Sequence, residues 1–132
     1  RTMSTSAQYA STVKAASVAL TATANTNRDG ATGVYTTIFT AGSSGSRIDD
    51  IYIVATGAST TAGVIRLFIH NGTAGFLWQE ILVTATTPST TVAVWSYTLL
   101  NQGLVIPTGY SLRASTNNAE GFNVLVTRAG DF

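Results

Sequence analysis

Few residues in this chain could carry out acid–base or metal chemistry. It has one histidine, His70, six acidic residues and no cysteine, so thiolate metal sites, disulfides and cysteine nucleophiles are excluded. His70 ends an apolar run beside Asn71-Gly72, and no Ser-His-acid spacing accompanies it. We therefore expect His70 to satisfy local backbone groups at a strand end, and we expect no catalytic activity.

The acidic residues form no pattern typical of a metal site. Asp49 and Asp50 are the only adjacent pair, and neighbouring strand residues point to opposite faces unless a bulge intervenes. Calcium takes about six to eight oxygen ligands, and the sequence has no contiguous loop that would supply them. We expect no metal and no cofactor, and we expect one of the two aspartates to bind Arg47 or Arg66.

Phosphate, nucleic-acid and sugar sites have little support. The turn at 42–46 is rich in glycine and serine but lacks the lysine and the following helix of a phosphate-binding loop. The basic residues are scattered, so no nucleic-acid stripe is present. Six aromatic side chains could stack on a sugar, although most lie in strand patterns, where burial in the core is the ordinary explanation. They are Trp78, Trp95, Tyr35, Tyr52, Tyr97 and Tyr110. A carbohydrate-binding module is therefore kept as the alternative.

The charge content is low for a domain of 132 residues. Only 10% of the residues are charged and the net charge is +1, against about 25% charged residues in ordinary soluble domains. A surface of threonine, serine, alanine, glycine and asparagine is easily desolvated, which suits packing against neighbouring proteins; the alternative is a hydroxyl-rich monomer. No apolar stretch reaches about 18 residues and the N-terminus has no apolar h-region, so we expect neither a membrane span nor a signal peptide.

Apolar residues recur with a period near two, which predicts strands and no helix. The predicted strands cover about residues 17–23, 34–40, 47–55, 64–70, 76–84, 91–100, 104–114 (interrupted at 107–109) and 122–128. Asn71-Gly72 predicts a hairpin turn. We expect an all-β antiparallel sandwich of about eight strands, with an extended N-terminal arm over residues 1–16 and a single domain over 17–132.

The N-terminus and two loops are the predicted contact sites. Residues 1–9 match no strand pattern, and either fray or order on a neighbouring subunit by adding a strand to a sheet edge. The turns at 42–46 and 86–90 are small and polar. The candidate contact residues are Arg1, Thr2, Met3, Gln8, Tyr9, Ser43, Ser44, Thr87 and Pro88.

The C-terminal third contains a characteristic series of motifs. Leu104 to Thr116 contains a strand, a Pro-x-Gly-aromatic turn and a second strand reading LRAST, and the chain ends in Gly130-Asp131-Phe132. This series resembles small structural proteins of tailed bacteriophages. The segment Asn25 to Gly33 is similar to the loop that precedes the first long strand in such proteins. The resemblance implies a jelly-roll β-sandwich of the capsid decoration or cement class, without catalytic residues.

The same resemblance implies a location and partners. Such proteins sit on the outer surface of the phage head, contact the major capsid protein and often form trimers. We therefore expect a virion protein that binds the capsid and its own copies, and neither nucleic acid nor membrane. The alternative is a carbohydrate- or receptor-binding β-sandwich module of a phage tail or baseplate.

Overall fold

The computed structural model describes residues 10–57 and 59–132. These residues contain nine β-strands, joined by turns and loops, and no helix. The strands are β1 Thr12–Ala19, β2 Thr36–Thr40, β3 Ser46–Ala55, β4 Gly63–His70, β5 Gly75–Val83, β6 Ser96–Leu99, β7 Leu104–Ile106, β8 Ser111–Thr116 and β9 Phe122–Asp131. The predicted all-β class is confirmed.

The strands form two antiparallel sheets packed face to face. Sheet A has the order β1-β9-β3-β6, with β7 also paired to β3, and sheet B has the order β2-β8-β4-β5. If β6 and β7 are counted as one interrupted strand, the chain visits the sheets in the order A, B, A, B, B, A, B, A. This is the order of an eight-stranded jelly roll, so the predicted antiparallel sandwich is confirmed.

Alternating side chains from both sheets fill the space between them. β3 buries Ile51 and Ile53, and β9 buries Phe122 and Val124, because successive strand residues point to opposite faces. Trp95 is 8% exposed and packs edge-on against the Phe122 ring at 5.7 Å. Each such side chain contributes about 1.5–3 kcal/mol on full burial, and the core therefore fixes how the two sheets stack.

Two strands differ most from the sequence prediction. The first strand runs over Thr12–Ala19 and not over 17–23, so residues 12–16, which the sequence pattern assigned to the arm, belong to sheet A. The strand predicted at 91–100 is reduced to Ser96–Leu99. Its first part is lost because Ser89 and Val92 hydrogen-bond to each other's backbone and close a turn.

The predicted hairpin at Asn71-Gly72 is confirmed between β4 and β5. Gly72 has φ +94°, which favours glycine, and Asn71 Oδ1 accepts a hydrogen bond from the Ala74 backbone N–H at 2.8 Å. His70 Nδ1 accepts one from the Gly72 N–H at 3.1 Å, as expected of a strand-end histidine. Burial, followed by the nearby charge of Arg113, lowers the pKa of His70.

Residues 20–35, which we call the covering segment, cross the outer face of sheet B between β1 and β2. The segment is attached at one end by a hydrogen bond from the Asn25 N–H to the Thr116 carbonyl at 2.9 Å. Its Tyr35 ring lies edge-on against Phe68 of β4 at 5.0 Å. Phe68 is only 1% exposed although it lies outside the main core. The covering segment therefore forms a second, smaller core on the outside of sheet B.

The C-terminal Gly130-Asp131 holds the end strands together. A Cβ on Gly130 would lie 2.5 Å from the Cβ of Ala10. A glycine at position 130 therefore allows the residues just before β1 to lie close against β9. Asp131 Oδ1 accepts hydrogen bonds from Ser46 Oγ and Lys14 Nζ, which joins β9 to β3 and β1. Part of the sequence motif at the C-terminus thus has a structural explanation.

Candidate functional site

Exposed apolar side chains are concentrated on one side of the sandwich. Among the described residues, nine large apolar side chains are exposed, and seven of them lie on β5, β6, β7 or the segments that join these strands. We call these seven the apolar border. They are Phe76, Leu77, Leu82, Val92, Tyr97, Leu100 and Val105.

The stacking of the sheets brings β5 and β6 to the same side. On the opposite side β1 lies against β2, because Lys14 Nζ donates to the Thr40 carbonyl at 2.6 Å and lies 4.5 Å from the centre of the Phe39 ring. Since β1 and β6 are the two ends of the sheet A order, and β2 and β5 the two ends of sheet B, the edges β5 and β6 must also lie together. The apolar border therefore follows one side of the sandwich, along the neighbouring edges of the two sheets.

The apolar border is almost without charge. Between Arg66 and Arg113 the only charged residue in the sequence is Glu80. Its Oε2 accepts hydrogen bonds from Arg66 Nε at 2.8 Å and from Arg28 Nε at 2.7 Å, so its charge is compensated within the molecule. Sequence reasoning missed this surface, although the 46-residue gap between the two arginines, broken only by Glu80, was visible in the sequence.

Five of the predicted contact residues lie outside the described residues. These are Arg1, Thr2, Met3, Gln8 and Tyr9. The prediction that an N-terminal arm contacts a neighbour therefore stays a prediction.

The other four predicted contact residues lie at opposite ends of the sandwich. Ser43 and Ser44 are exposed in the turn between β2 and β3, while Thr87 is exposed and Pro88 half-buried between β5 and β6. The end of β2 pairs with the start of β8, and the start of β8 also pairs with the end of β4. The turn at 42–46 therefore lies at the same end of the sandwich as the start of β5, whereas the loop that follows β5 lies at the other end. The structure does not bring the two loops together, and only the second adjoins the apolar border.

A groove of about 330 Å³ lies on the outer face of sheet A, between the start of β1 and the side chains of Arg47 and Arg128. Arg47 Nε pairs with Asp49 Oδ1 at 3.0 Å, as predicted for one aspartate of the pair, and Arg128 Nε pairs with Asp50 Oδ2 at 3.0 Å. The register of β3 with β9 shifts on both sides of Asp50, and the two aspartates bind different arginines. The groove therefore carries two compensated ion pairs.

The described part of the chain has neither a cluster of metal ligands nor a membrane-spanning helix. There, no three acidic, histidine or cysteine side chains come together as a metal site would require. Within the same residues, no helix is long and apolar enough to cross a membrane.

The two tryptophans do not form a sugar-binding platform. Trp95 belongs to the core, and Trp78 is half-buried and packs against the core. Tyr97 is exposed and stacks parallel to Trp95 at a centroid distance of 6.5 Å. The exposed aromatic side chains of the apolar border are therefore Phe76 and Tyr97.

Four carboxyl groups make stability depend on pH. Hydrogen bonds from Thr32 lower the pKa of Asp29, and in the same way Arg128, Arg28 and Ser46 lower the pKa values of Asp50, Glu80 and Asp131.

The folded state therefore holds these protons less tightly than the unfolded chain, so their stabilisation is complete above the ordinary carboxyl pKa and disappears as pH falls through the lowered values. The lowered pKa of His70 acts in the same direction at higher pH, so we expect the Tm to fall slightly from about pH 7 to 5 and to fall more steeply below about pH 4. Asp29→Asn should reduce the fall, and a Tm unchanged down to about pH 3 would contradict this reasoning.

The chain has little detectable similarity to known proteins. No protein-family model and no curated protein matches the chain. Among solved structures, the chain is similar to one described as "Structure of infectious bursal disease virus Gt strain", with a TM-score of 0.33 and 17% identity. The match covers 93% of this chain and 34% of that chain, so this chain spans about a third of its length. A likeness at this TM-score carries no argument about function.

Proposed function

We propose that the chain is a structural protein of a virus particle, a decoration or cement protein on the outer surface of a tailed-phage head. The observation that carries the proposal is the apolar border, seven exposed large apolar side chains with one internally compensated charge among them. Exposed apolar side chains concentrated on one side of a domain are typical of a protein–protein interface. A jelly roll alone supports many functions, so the border and not the fold carries the proposal.

The viral setting is supported by the resemblance of residues 104–132 to phage structural proteins. In this proposal the partners are the major capsid protein and further copies of this chain, with a trimer as the favoured state. No reaction is catalysed. A protein that binds only the assembled shell stabilises it by RT ln(1 + [L]/Kd), about 2.7 kcal/mol per site at a hundredfold excess over Kd.

Binding to phage heads tests the proposal. Heads lacking this protein, from the phage whose genome encodes it, are mixed with the purified chain and sedimented. Leu100→Glu and Val105→Glu place a charge on parts of the border that are 60% and 56% exposed in the free protein. We expect each to weaken binding roughly tenfold or more, because each would bury an unpaired charge in the interface.

Val13→Glu is the matched control. Val13 is 94% exposed on β1, at the opposite side of the sandwich, so the same new charge should leave binding unchanged. If the wild-type chain fails to sediment with heads, or if the two border variants saturate heads at the wild-type concentration, the proposal is wrong.

A further inference from the structure

Sheet B has one long edge strand, β5, that is open to pairing with a further strand. Natural proteins protect exposed sheet edges with short strands, bulges, lysines or covering segments. In sheet A, β6 and β7 have four and three residues, and β1 has a register shift between Lys14 and Ala16. In sheet B, the ends of β2 are bound by Thr21 and by Lys14. The remaining edge strand is β5.

β5 offers both free backbone groups and apolar side chains. It has nine residues and is the last strand of sheet B, so one row of its N–H and C=O groups has no partner strand among the described residues. A register shift near its start leaves residues 79–83 regular. Leu77 and Leu82 pair with Phe68 and Val64 of β4 and so share the outer face, where they are 38% and 67% exposed.

The charge beside β5 is positive, because two arginines share one carboxylate. Arg66, Glu80 and Arg28 together carry one excess positive charge. The Arg28 side chain is 60% exposed, and beyond the bond from its Nε to Glu80 its terminal nitrogens have no hydrogen-bond partner in the described part of the chain. A guanidinium held in place by one carboxylate, with unused donors, suits a second carboxylate.

We infer that β5 accepts an extended strand of the protein to which this chain binds. The added strand would have apolar side chains beside Leu77 and Leu82 and an aspartate or glutamate within reach of Arg28. The inference rests on the proposed function, in which the partner is the capsid protein. A second copy fits less well, because the register that places Leu77 opposite Leu82 of the copy also brings the two Glu80 carboxylates together.

Two pairs of matched variants test the strand addition on heads that lack this protein. Leu82→Lys should weaken head binding roughly tenfold, while Val13→Lys should not change it. Arg28→Glu should weaken binding roughly fivefold or more and reduce its dependence on salt. Arg128→Glu is its control, because Arg128 is 55% exposed and its Nε also pairs with one acid, yet it lies on sheet A.

Hydrogen exchange of the backbone amides gives a direct measurement. Within residues 79–83, the amides that point away from β4 should exchange at least tenfold more slowly on heads than in the free protein, and those of β1 should not change. If heads bind the wild-type chain but β5 exchanges at the same rate, strand addition is overturned and the proposed function stands. If the wild-type chain does not bind heads, both the strand addition and the proposed function are wrong. If concentrated protein alone protects β5, the partner is a second copy, which overturns the assignment to a different protein.

Discussion

Glu80→Gln should lower the free energy of unfolding by about 2–3 kcal/mol, a large effect for a residue on an edge strand. Arg66 is 2% exposed, and besides Glu80 it binds two neutral acceptors, the Asn25 carbonyl at 3.0 Å and Asn117 Oδ1 at 3.2 Å. Removing the carboxylate charge leaves a buried guanidinium uncompensated, which typically costs about 3–5 kcal/mol. Glu80 is 32% exposed, so water offsets part of that cost.

A double-mutant cycle in urea distinguishes this mechanism from a general loss of packing. Arg66→Leu leaves acceptors of Asn25 and Asn117 without a donor and should also destabilise. The double variant with Glu80→Gln has no buried charge, so its loss should be smaller than the sum of the two single losses by about 1–3 kcal/mol. Arg28→Leu, which removes the exposed half of the network, should cost less than about 1 kcal/mol. Strictly additive losses would contradict the buried-charge mechanism.

The sequence of β4 already contained a sign of the covering segment. Its apolar residues do not alternate, since residues 64–69 read Val-Ile-Arg-Leu-Phe-Ile, and a continuous apolar run is typical of a strand buried on both faces. The period-two reading predicted the strand but did not address how many of its faces are buried. In the structure Ile65 and Leu67 face the main core, while Arg66 and Phe68 are buried beneath the covering segment.

What covers β4 could not be predicted from residues 20–35 themselves. Their composition indicates a polar loop, and their position depends on contacts distant in sequence, such as Asn25 with Thr116 and Gly30 with Gly75. The apolar border had the same limitation. The missing charges were visible in the sequence, but only the strand order shows that β5 and β6 lie on the same side. Local pattern predicts strands, whereas long-range pairing determines which surfaces they share.

Phe68→Ala should cost about 3–5 kcal/mol, as much as a large truncation in the main core. The reason is that the covering segment buries Phe68 to 1% exposure on a sheet face that would otherwise be in solvent. Tyr35 makes an edge-on contact with its ring at 89°, and Tyr35→Ala should cost at least the roughly 0.5–1.5 kcal/mol that an aromatic pair adds beyond its buried area. Unfolding in urea, followed by tryptophan fluorescence, measures both losses.

Leu77→Ala is the matched control for Phe68→Ala, because Leu77 lies next to Phe68 on the same face but is 38% exposed. It should cost no more than about 1–1.5 kcal/mol, since less apolar area returns to water. Equal losses for the two variants would mean that residues 20–35 do not cover sheet B.

At a temperature where both variants are folded, Phe68→Ala should bind heads like the wild type and Leu77→Ala more weakly. Stability beneath the covering segment and binding at the apolar border are therefore separable on one sheet face.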